Sequence, residues 1–276
     1  MKLNKNLEQK LNNIISFLKD KKVIIAFSGG VDSSLLAFLS KKFAKEVLLV
    51  TERSILYPDE EIDEASQFAE SHEIPHLIIE RNPLDDKQFQ CNPQNRCYLC
   101  KKGLYSDIIH VKESKGFDII LDGSNFDDLD DFRPGMQAVK ELGIVAPYID
   151  FKVNKQDIRD ISEFYKLKVY SKPSMACFSS RIPYGQVIDE EKLNRIRAGE
   201  KFLKQTFNLK QLRVRHHENN LARIEFLEED FPVILKKENL IQIKKQFKEI
   251  GFNYITIDIE GFRSGSMNEV LNLEEI

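Results

Sequence analysis

An apolar run followed directly by a glycine-rich polar segment limits this chain to a small set of folds. Residues 22–27 (KVIIAF) have the β-branched composition of a buried parallel strand, and SGGVDSS leads from them into the helical pattern of residues 33–44. The two patterns then keep alternating, with apolar runs at 46–52, 75–80 and 117–123 and helical patterns at 58–72, 97–114 and 154–167. Strands that alternate with helices predict parallel βαβ units, with helices on both faces of one sheet.

The pattern changes after about residue 187, where a second domain is predicted. The later elements are a helix at 190–206, a hairpin of 211–217 with 221–226, a helix at 231–249 and a strand at 254–259. This order is typical of an α+β fold, and a length of 276 residues also favours two domains. We therefore predict a doubly wound, parallel-sheet α/β domain at residues 1–186 and a smaller C-terminal α+β domain at 187–276.

Composition and charge exclude several classes of protein. The net charge of −3 argues against a general polyanion binder, and no apolar run approaches the ~18 residues of a membrane span. The first residues, MKLNKNLEQKLNNIISFLKDKK, are amphipathic and lack the apolar core and cleavage site of a signal peptide. We therefore predict a cytoplasmic protein without a membrane or nucleic-acid partner, whose four cysteines are free, metal-bound or catalytic rather than in disulfides.

The segment SGGVDSS follows the first predicted strand, at the edge where open parallel sheets bind ligands. Gly29 and Gly30 allow the backbone N–H groups to face a ligand, and the following helix N-terminus adds to this anion site. The serines of the segment, Ser34 included, supply hydroxyl donors. Asp32 suits such a site if it holds a cation or the amides of the loop, and Mg²⁺ bound to phosphates would satisfy the first requirement. The segment is not a Walker A loop, and a glycine-rich turn without a ligand is the alternative.

The order S-G-G-x-D-S resembles the pyrophosphate loop of the N-type ATP pyrophosphatases. Members of that superfamily cleave ATP between the α- and β-phosphates and adenylate a substrate oxygen. The resemblance implies an adenine nucleotide alpha hydrolase-like fold, with ATP and Mg²⁺ as cofactors and Asp32 as a catalytic residue. The residues that it places near ATP or Mg²⁺ are Ala26, Ser28, Gly29, Gly30, Asp32, Ser33, Ser54 and Gly123.

Cys97 and Cys100 are spaced C-x-x-C on a predicted helix, where positions i and i+3 share a face, so both thiolates could reach one metal. Cys177 lies in SMACFSSRIPYG, and Cys91 precedes the pair. Three converging cysteines would leave one iron of a [4Fe–4S] cluster open to a ligand such as hydrosulfide, whereas four would form a closed zinc or cluster site. Two half-buried helix cysteines or a redox pair are the alternatives.

Motifs spread over nearly the whole chain carry a closer resemblance. AFSGGVDSSLL, LDGSNFDDLDDFRPG, SRIPYG, LRVRHHENNLARIE and GFRSGSMN are similar to segments of the LarE family of sulfur insertases. The resemblance implies an enzyme that adenylates the carboxylates of pyridinium-3,5-biscarboxylic acid mononucleotide and converts them to thiocarboxylates, in the synthesis of the nickel-pincer nucleotide cofactor of lactate racemase. Its partners would be this small nucleotide and sulfide or a sulfur donor, and we also expect a homo-oligomer.

The family resemblance leaves two sources for the sulfur. In one branch a single cysteine gives up its sulfur and becomes dehydroalanine, and in the other three cysteines hold a [4Fe–4S] cluster whose open iron carries the sulfur. Cys97, Cys100 and Cys177 match the cluster branch, whereas Cys91 is interpreted as a bystander. Cys177 also stands at the position of the sacrificial cysteine, so the two mechanisms make opposite demands on it.

A nucleotide with two carboxylates is strongly anionic and needs cations and N–H donors. In LRVRHH, Arg213 and Arg215 point to the same side of a strand and could form a two-arginine anion site, with a solvated strand face as the alternative. Glu200 is assigned to the site from the family resemblance, and Tyr98 could stack on a ring or simply pack. The other residues expected at the site are Arg133, Arg181, Arg263, Asp122 and Asn125.

The segment HEIPH at residues 72–76 matches the H-E-x-x-H letters of zinc proteases. That motif needs both histidines on one helix, and Pro75 is incompatible with the helix interior. We therefore predict a helix-to-strand turn here.

Three other functions stay open at this point. A tRNA thiolase uses the same adenylation chemistry but needs a basic surface. A synthetase that delivers ammonia would need no sulfur. A nucleotide-binding regulatory protein would carry a structural zinc and would bind ATP without cleaving it.

Overall fold

The computed structural model of the protein describes residues 3–129, 133–171, 176–263 and 265–269. Its helices are α1 (Lys5–Leu18), α2 (Val31–Phe43), α3 (Asp59–Ser71), α4 (Lys87–Gln90), α5 (Arg96–Lys115), α6 (Gly135–Glu141), α7 (Pro147–Asp150), α8 (Lys155–Phe164), α9 (Glu190–Phe207), α10 (Phe231–Ile234) and α11 (Lys237–Ile250). Its strands are β1 (Lys22–Ala26), β2 (Glu46–Arg53), β3 (His76–Glu80), β4 (Ile119–Leu121), β5 (Leu212–His217), β6 (Leu221–Phe226) and β7 (Tyr254–Ile257). None of the helices in this described part combines the length and the apolar composition that a membrane crossing needs.

The chain divides into two compact units, and the division differs from the predicted boundary at 186/187. The N-terminal unit is Met1–Pro83 with Gln94–Met175, and the C-terminal unit is Leu84–Pro93 with Ala176–Ile276. The short segment 84–93 joins the C-terminal unit because the backbone N–H of Ile188 donates to the carbonyl of Gln90 at 2.8 Å. The residues just after 175 belong there because Arg181 forms an ion pair with Glu200 of α9 at 2.9 Å.

The N-terminal unit is built on a four-stranded parallel sheet in the order β3-β2-β1-β4. Neighbouring residues of the central strand β1 point to opposite faces of this sheet. Ile25 is buried in the core formed with α1 and α2, and Ile24 in the core formed with α5 and α6. Helices therefore cover both faces, and the predicted α/β class with a parallel sheet is confirmed.

Helix α8 begins with a reciprocal cap formed by Asn154 and Asp157. The side-chain oxygen of Asn154 accepts a hydrogen bond from the backbone N–H of Asp157 at 2.8 Å, and the Asp157 carboxylate accepts one from the backbone N–H of Asn154 at 3.1 Å. Lys155 is thereby the first helical residue, and its backbone N–H donates to the Asp127 carboxylate at 2.9 Å. The base of the Lys155 side chain is therefore held in a fixed position.

The C-terminal unit contains the predicted second sheet, with β5 and β6 antiparallel and β6 and β7 parallel. Val214 and Ile224 are fully buried in its core together with Leu203 of α9 and Phe247 of α11. The helix predicted at 231–249 is instead two helices, α10 and α11, because Lys236 between them is extended at φ −61° and ψ 138°.

The turn predicted for HEIPH is confirmed. His72 follows the last residue of α3, and His76 begins β3. The ring Nε2 of His76 lies 2.7 Å from the Thr51 hydroxyl. The two histidines thus belong to different elements and do not form the helical zinc site of a protease.

A buried histidine in β5 makes the C-terminal unit sensitive to acid. His216 is 1% exposed, and in the described part of the chain neither ring nitrogen has a hydrogen-bond partner. Burial, followed by the positive charges of Arg195 and Lys192, lowers the pKa of His216 from 6.5 to about 4. Between these two values the unfolded chain binds a proton that the folded chain does not, so stability falls as the pH falls.

Substitution of His216 by leucine is expected to remove this loss. When the pH is lowered from 7.5 to 5, the wild type should lose about 2 kcal/mol more unfolding free energy than the variant. Urea unfolding at the two pH values measures the difference, with the exposed His110→Gln as the control that should not change it. A stability difference between H216L and wild type that is the same at both pH values would contradict the assignment.

Candidate functional site

A cleft of about 320 Å³ lies at the carboxyl ends of β1, β2 and β4 in the N-terminal unit. This is the edge of the sheet where the sequence predicts a ligand. The predicted residues that line it are Ala26, Ser28, Gly30, Asp32, Ser33, Asp122, Gly123 and Arg133. Ser54 is not among the lining residues, and its hydroxyl accepts a hydrogen bond from the backbone N–H of Leu56 at 3.1 Å.

The glycine segment forms a tight loop at the N-terminus of α2. Gly29 has φ +68°, and a Cβ added to this residue would lie 3.3 Å from the Cβ of Ala65. A Cβ on Gly123 would lie 3.0 Å from the backbone nitrogen of Ser33, so the two loops can approach only because this residue is glycine. Val31, Asp32 and Ser33, the first residues of α2, line the cleft, and the N–H groups at a helix N-terminus favour an anionic ligand.

Asp32 and Lys155 form an ion pair in the cleft. The Lys155 ammonium lies 2.7 Å from each carboxylate oxygen of Asp32. Burial raises the pKa of Asp32, and the charge of Lys155 opposes that rise. Lys155 was missed in the sequence, where it is one of many lysines; its place directly after the N-cap Asn154 was the only available signal.

Asp122 is a second carboxylate in the cleft and is held ionised. Burial alone would raise its pKa, but the Lys101 ammonium at 3.1 Å and hydrogen bonds from Ser124 and Tyr105 lower it to about 2. Ser124 donates its backbone N–H at 2.8 Å. Lys101 was also missed, although it directly follows Cys100 in the sequence. Asn125, the other residue expected here, is buried, and its backbone N–H donates to Asp128 at 2.9 Å.

Cys100 lies on the wall of the same cleft. Its sulfur is 3.9 Å from a guanidinium nitrogen of Arg81, which also forms an ion pair with the buried Glu52 at 3.2 Å. A Cβ on Gly103 would lie 1.9 Å from the Arg81 guanidinium, so this glycine of α5 makes room for it. Burial alone would lower the pKa of Arg81, but the neighbouring Cys100 and Glu52 outweigh burial and raise this pKa. The sequence contained no signal for this contact.

The other half of the C-x-x-C pair faces solvent. Cys97 is exposed on α5, one turn before Cys100. The Tyr98 hydroxyl between them donates to Glu141 at 2.7 Å, so this side chain is anchored to α6. Arg133 lies two residues before α6. Its side chain is 48% exposed, and its guanidinium lies 2.9 Å from the Asp128 carboxylate.

Two of the arginines predicted to bind substrate are paired with carboxylates inside the C-terminal unit. Arg181 is fully buried and donates to both carboxylate oxygens of Glu200, at 2.9 and 3.2 Å. Arg215 donates to both oxygens of Glu225, at 2.9 and 2.6 Å. Sequence reasoning missed Glu225, which lies opposite Arg213 in the β5–β6 pairing. These bidentate pairs neutralise the two arginines.

Arg213 differs from these two arginines. It is 7% exposed, yet in the described part of the chain no carboxylate lies within ion-pair distance of it. Its guanidinium lies 5.0 Å from the ring centre of Phe262 and donates to the carbonyl of Leu212. Burial, then the nearby charges of Arg181 and Arg215, lower its pKa to about 10. The charges of Glu200 and Glu225 offset this lowering only in part, and a buried cation without a carboxylate at ion-pair distance among the described residues favours an anionic ligand.

Arg263 belongs to a separate group of charges in the C-terminal unit. Its guanidinium lies 2.8 Å from Glu260 and 3.2 Å from Glu269. It is therefore paired with exposed carboxylates.

Cys177 lies at the start of a short turn, Phe178–Arg181, in the C-terminal unit. Its sulfur is 2.9 Å from the hydroxyl of Ser179, and its carbonyl accepts from the Arg181 guanidinium at 3.0 Å. None of the four cysteines is in a disulfide. Among the described residues, no three Cys, His, Asp or Glu side chains converge on one metal position.

Comparisons with known proteins bear on this arrangement. The NAD synthase family model matches residues 3–104, which include the glycine loop and the C-x-x-C pair. The chain is 37% identical over 267 residues to an uncharacterized protein of Synechocystis, covering 96% of this chain and 99% of that protein. It is 32% identical over 280 residues to the pyridinium-3,5-bisthiocarboxylic acid mononucleotide synthase of Lactiplantibacillus plantarum, covering 98% of each.

A more distant match is the tRNA-specific 2-thiouridylase MnmA of Clostridium perfringens, 26% identical over 65% of this chain and 61% of that protein. The match to the mononucleotide synthase covers 98% of this chain and so includes both of its units. The chain therefore belongs to the LarE family of ATP-dependent sulfurtransferases, with an N-terminal ATP pyrophosphatase domain of the NAD synthase type.

Proposed function

We propose that this protein replaces carboxylates of pyridinium-3,5-biscarboxylic acid mononucleotide by thiocarboxylates at the expense of ATP. The observation that carries the proposal is the 32% identity to the mononucleotide synthase along 98% of both chains. The cleft adds support because its loop amides and Asp32 suit a nucleotide with its magnesium ion.

The first step is adenylation of the substrate. A carboxylate oxygen attacks the α-phosphorus of ATP, the bond to the bridging oxygen breaks, and pyrophosphate leaves with that electron pair. The amides at the start of α2 and the hydroxyls of Ser28 and Ser33 hold the β- and γ-phosphates. Asp32 offers the carboxylate oxygens that Mg²⁺ prefers, and the bound ion would supply charge neutralisation at the phosphates.

The second step transfers sulfur. Hydrosulfide attacks the carbonyl carbon of the acyl adenylate, and AMP leaves with the electron pair of the broken carbon–oxygen bond. The sum is one carboxylate, ATP and hydrosulfide converted to one thiocarboxylate, AMP and pyrophosphate. No oxidant or reductant is needed if hydrosulfide is the donor.

We further propose that Cys97, Cys100 and Cys177 hold a [4Fe–4S] cluster that presents this sulfur. Cys97 and Cys100 fit two ligand positions, since they lie one turn apart on α5 and are in no disulfide. Cys177 belongs to the other unit, and no step above is assigned to the cluster. Sacrifice of the Cys177 sulfur is the alternative source.

For the substrate phosphate or a carboxylate, the proposed contact is Arg213. Arg181 and Arg215 already have carboxylate partners, so we assign them, with Glu200, the role of holding the Cys177 turn and the strand around Arg213. Arg215 supports this role because it also donates to the backbone carbonyl of Ser180 at 3.1 Å. Arg133, which is half-exposed, is the proposed contact on the N-terminal unit.

Incubation with ATP, Mg²⁺, sulfide and the biscarboxylate nucleotide tests the proposal. AMP and pyrophosphate should form in proportion to thiocarboxylate, which mass spectrometry detects as a gain of about 16 Da for each oxygen replaced by sulfur. Formation of AMP without any thiocarboxylate would contradict the sulfur-transfer step. ATP cleavage in which ammonia replaces sulfide would instead identify an amide-forming synthetase.

A tRNA thiolase is the second candidate, because the match to a tRNA-specific 2-thiouridylase covers 65% of the chain. It would bind tRNA with a strong dependence on salt concentration. Gel shifts with tRNA at two salt concentrations separate the candidates, and a net charge of −3 leads us to expect no shift.

A further inference from the structure

The contact between Lys155 and Asp32 raises a question that the proposed function leaves open. Asp32 offers the oxygens for a magnesium ion, but both of them lie 2.7 Å from the Lys155 ammonium. The pair lines the cleft, and its side chains are only 31% and 24% exposed. The position next to the carboxylate is therefore already taken by a cation.

The backbone is held in place at both ends of this contact. Asp32 is in the first turn of α2, where its backbone carbonyl accepts from the Tyr148 hydroxyl at 3.2 Å. The backbone of Lys155 is fixed by the cap of α8 and by Asp127. Between them is a lysine side chain with four rotatable bonds, so the ammonium can move while both backbones stay in place.

We propose that Lys155 occupies the cation position at Asp32 while the nucleotide is absent, so that a divalent metal enters only together with the nucleotide. This inference rests on the proposed function, in which Asp32 binds the magnesium ion of ATP. Because the ammonium lies 2.7 Å from both oxygens of Asp32, a divalent cation at this carboxylate would meet a like charge at close range, and this repulsion disfavours binding of both cations together. Phosphate oxygens bound at the loop give the ammonium a new partner and release the carboxylate to the metal.

Lys155 then has opposite effects on two binding affinities. It lowers the affinity of the empty site for a metal ion, and it raises the affinity for the metal–nucleotide complex by contacting the phosphates. A lysine that only stabilised the fold would change neither affinity in this paired way. The first effect also sets the order of binding, because the metal binds together with the nucleotide and not before it.

Mn²⁺ binding measured by electron paramagnetic resonance tests the first effect without any turnover. In the absence of nucleotide, Lys155→Met should bind one Mn²⁺ at least tenfold more tightly than the wild type. The double variant with Asp32→Asn should lose this gain, and Lys155→Arg, which keeps the charge, should behave as the wild type. An affinity of K155M for Mn²⁺ equal to that of the wild type would overturn the proposal.

The second effect is tested by calorimetry with α,β-methylene ATP, an analogue that cannot be cleaved between its α- and β-phosphates. K155M should bind the magnesium complex of this analogue at least tenfold more weakly, and unchanged binding would overturn the proposal. Lys22→Met is the matched control, since Lys22 forms an ion pair with Glu46 at 2.8 Å at the opposite end of the sheet and does not line the cleft. Failure of the wild type to bind the analogue at all would instead contradict the proposed function, while the Mn²⁺ experiment would still judge Lys155.

Discussion

Substitution of Asp32 by alanine is expected to lower pyrophosphate release from ATP by at least ~100-fold. The change removes the carboxylate proposed to hold the magnesium ion, and it leaves the Lys155 ammonium without its partner at 2.7 Å. Because Asp32 is not one of the cysteines proposed to hold iron, the iron content of the variant should match that of the wild type. A coupled assay for pyrophosphate measures the rate, and iron analysis of the same sample checks the second expectation.

Two further variants make this result specific. Asp32→Asn keeps the shape of the side chain but removes its charge, and it should lose as much activity as alanine. Glu46→Gln is the control, since Glu46 also pairs with a lysine, Lys22 at 2.8 Å, but does so at the opposite end of the sheet. Near-normal pyrophosphate release by both Asp32 variants would remove Asp32 from the proposed role.

Anaerobically purified wild-type protein is expected to contain about four irons and about four acid-labile sulfides per chain, as one [4Fe–4S] cluster requires. Substitution of Cys177 by alanine should abolish most of this content, because a cubane cluster with two protein thiolates is poorly held. Cys97→Ala and Cys100→Ala should have the same effect. Cys91→Ala is the matched control, since Cys91 is an exposed cysteine outside the C-x-x-C pair, and its iron content should be normal.

The same experiment contains the outcome that favours the other sulfur source. Protein that binds no iron after reconstitution, and whose Cys177 has become dehydroalanine after turnover, would establish Cys177 as the sulfur donor. Peptide mass spectrometry detects this as a loss of about 34 Da, the mass of hydrogen sulfide. Turnover would then stop after one sulfur per chain, whereas a cluster supplied with sulfide permits many.

The core of the fold could be predicted because its signals are local. The runs at 22–27 and 46–52 have buried apolar centres, residues 23–25 and 47–50, and the structure places β1 and β2 there. The strand predicted at 117–123 is only Ile119–Leu121, since pairing with β1 extends no further. Neither glycine nor proline occurs at the break at Lys236, and the apolar periodicity continues across it, so the sequence predicted one continuous helix.

Much of the candidate site could not be predicted because its contacts join distant parts of the chain. Asp32 and Lys155 meet across the unit, and nothing near either residue in the sequence identifies the other. Arg215 was predicted as an anion contact from its alternation with Arg213, which a strand pattern supports. The pattern could not reveal that Glu225, on the neighbouring strand, forms its ion pair with Arg215, whereas Arg213 has no described carboxylate at that distance.

The segment 84–93 gives the order of protein synthesis a role in folding. This segment leaves the ribosome early, but the residue that bonds to Gln90, Ile188, is made only after the whole second half of the N-terminal unit. The C-terminal unit therefore cannot complete itself from a continuous stretch of chain, and its contact with 84–93 has a large sequence separation. A ribosome-bound chain that has just finished the N-terminal unit still carries an unsatisfied piece of the other, which is a place where premature pairing or a chaperone could act.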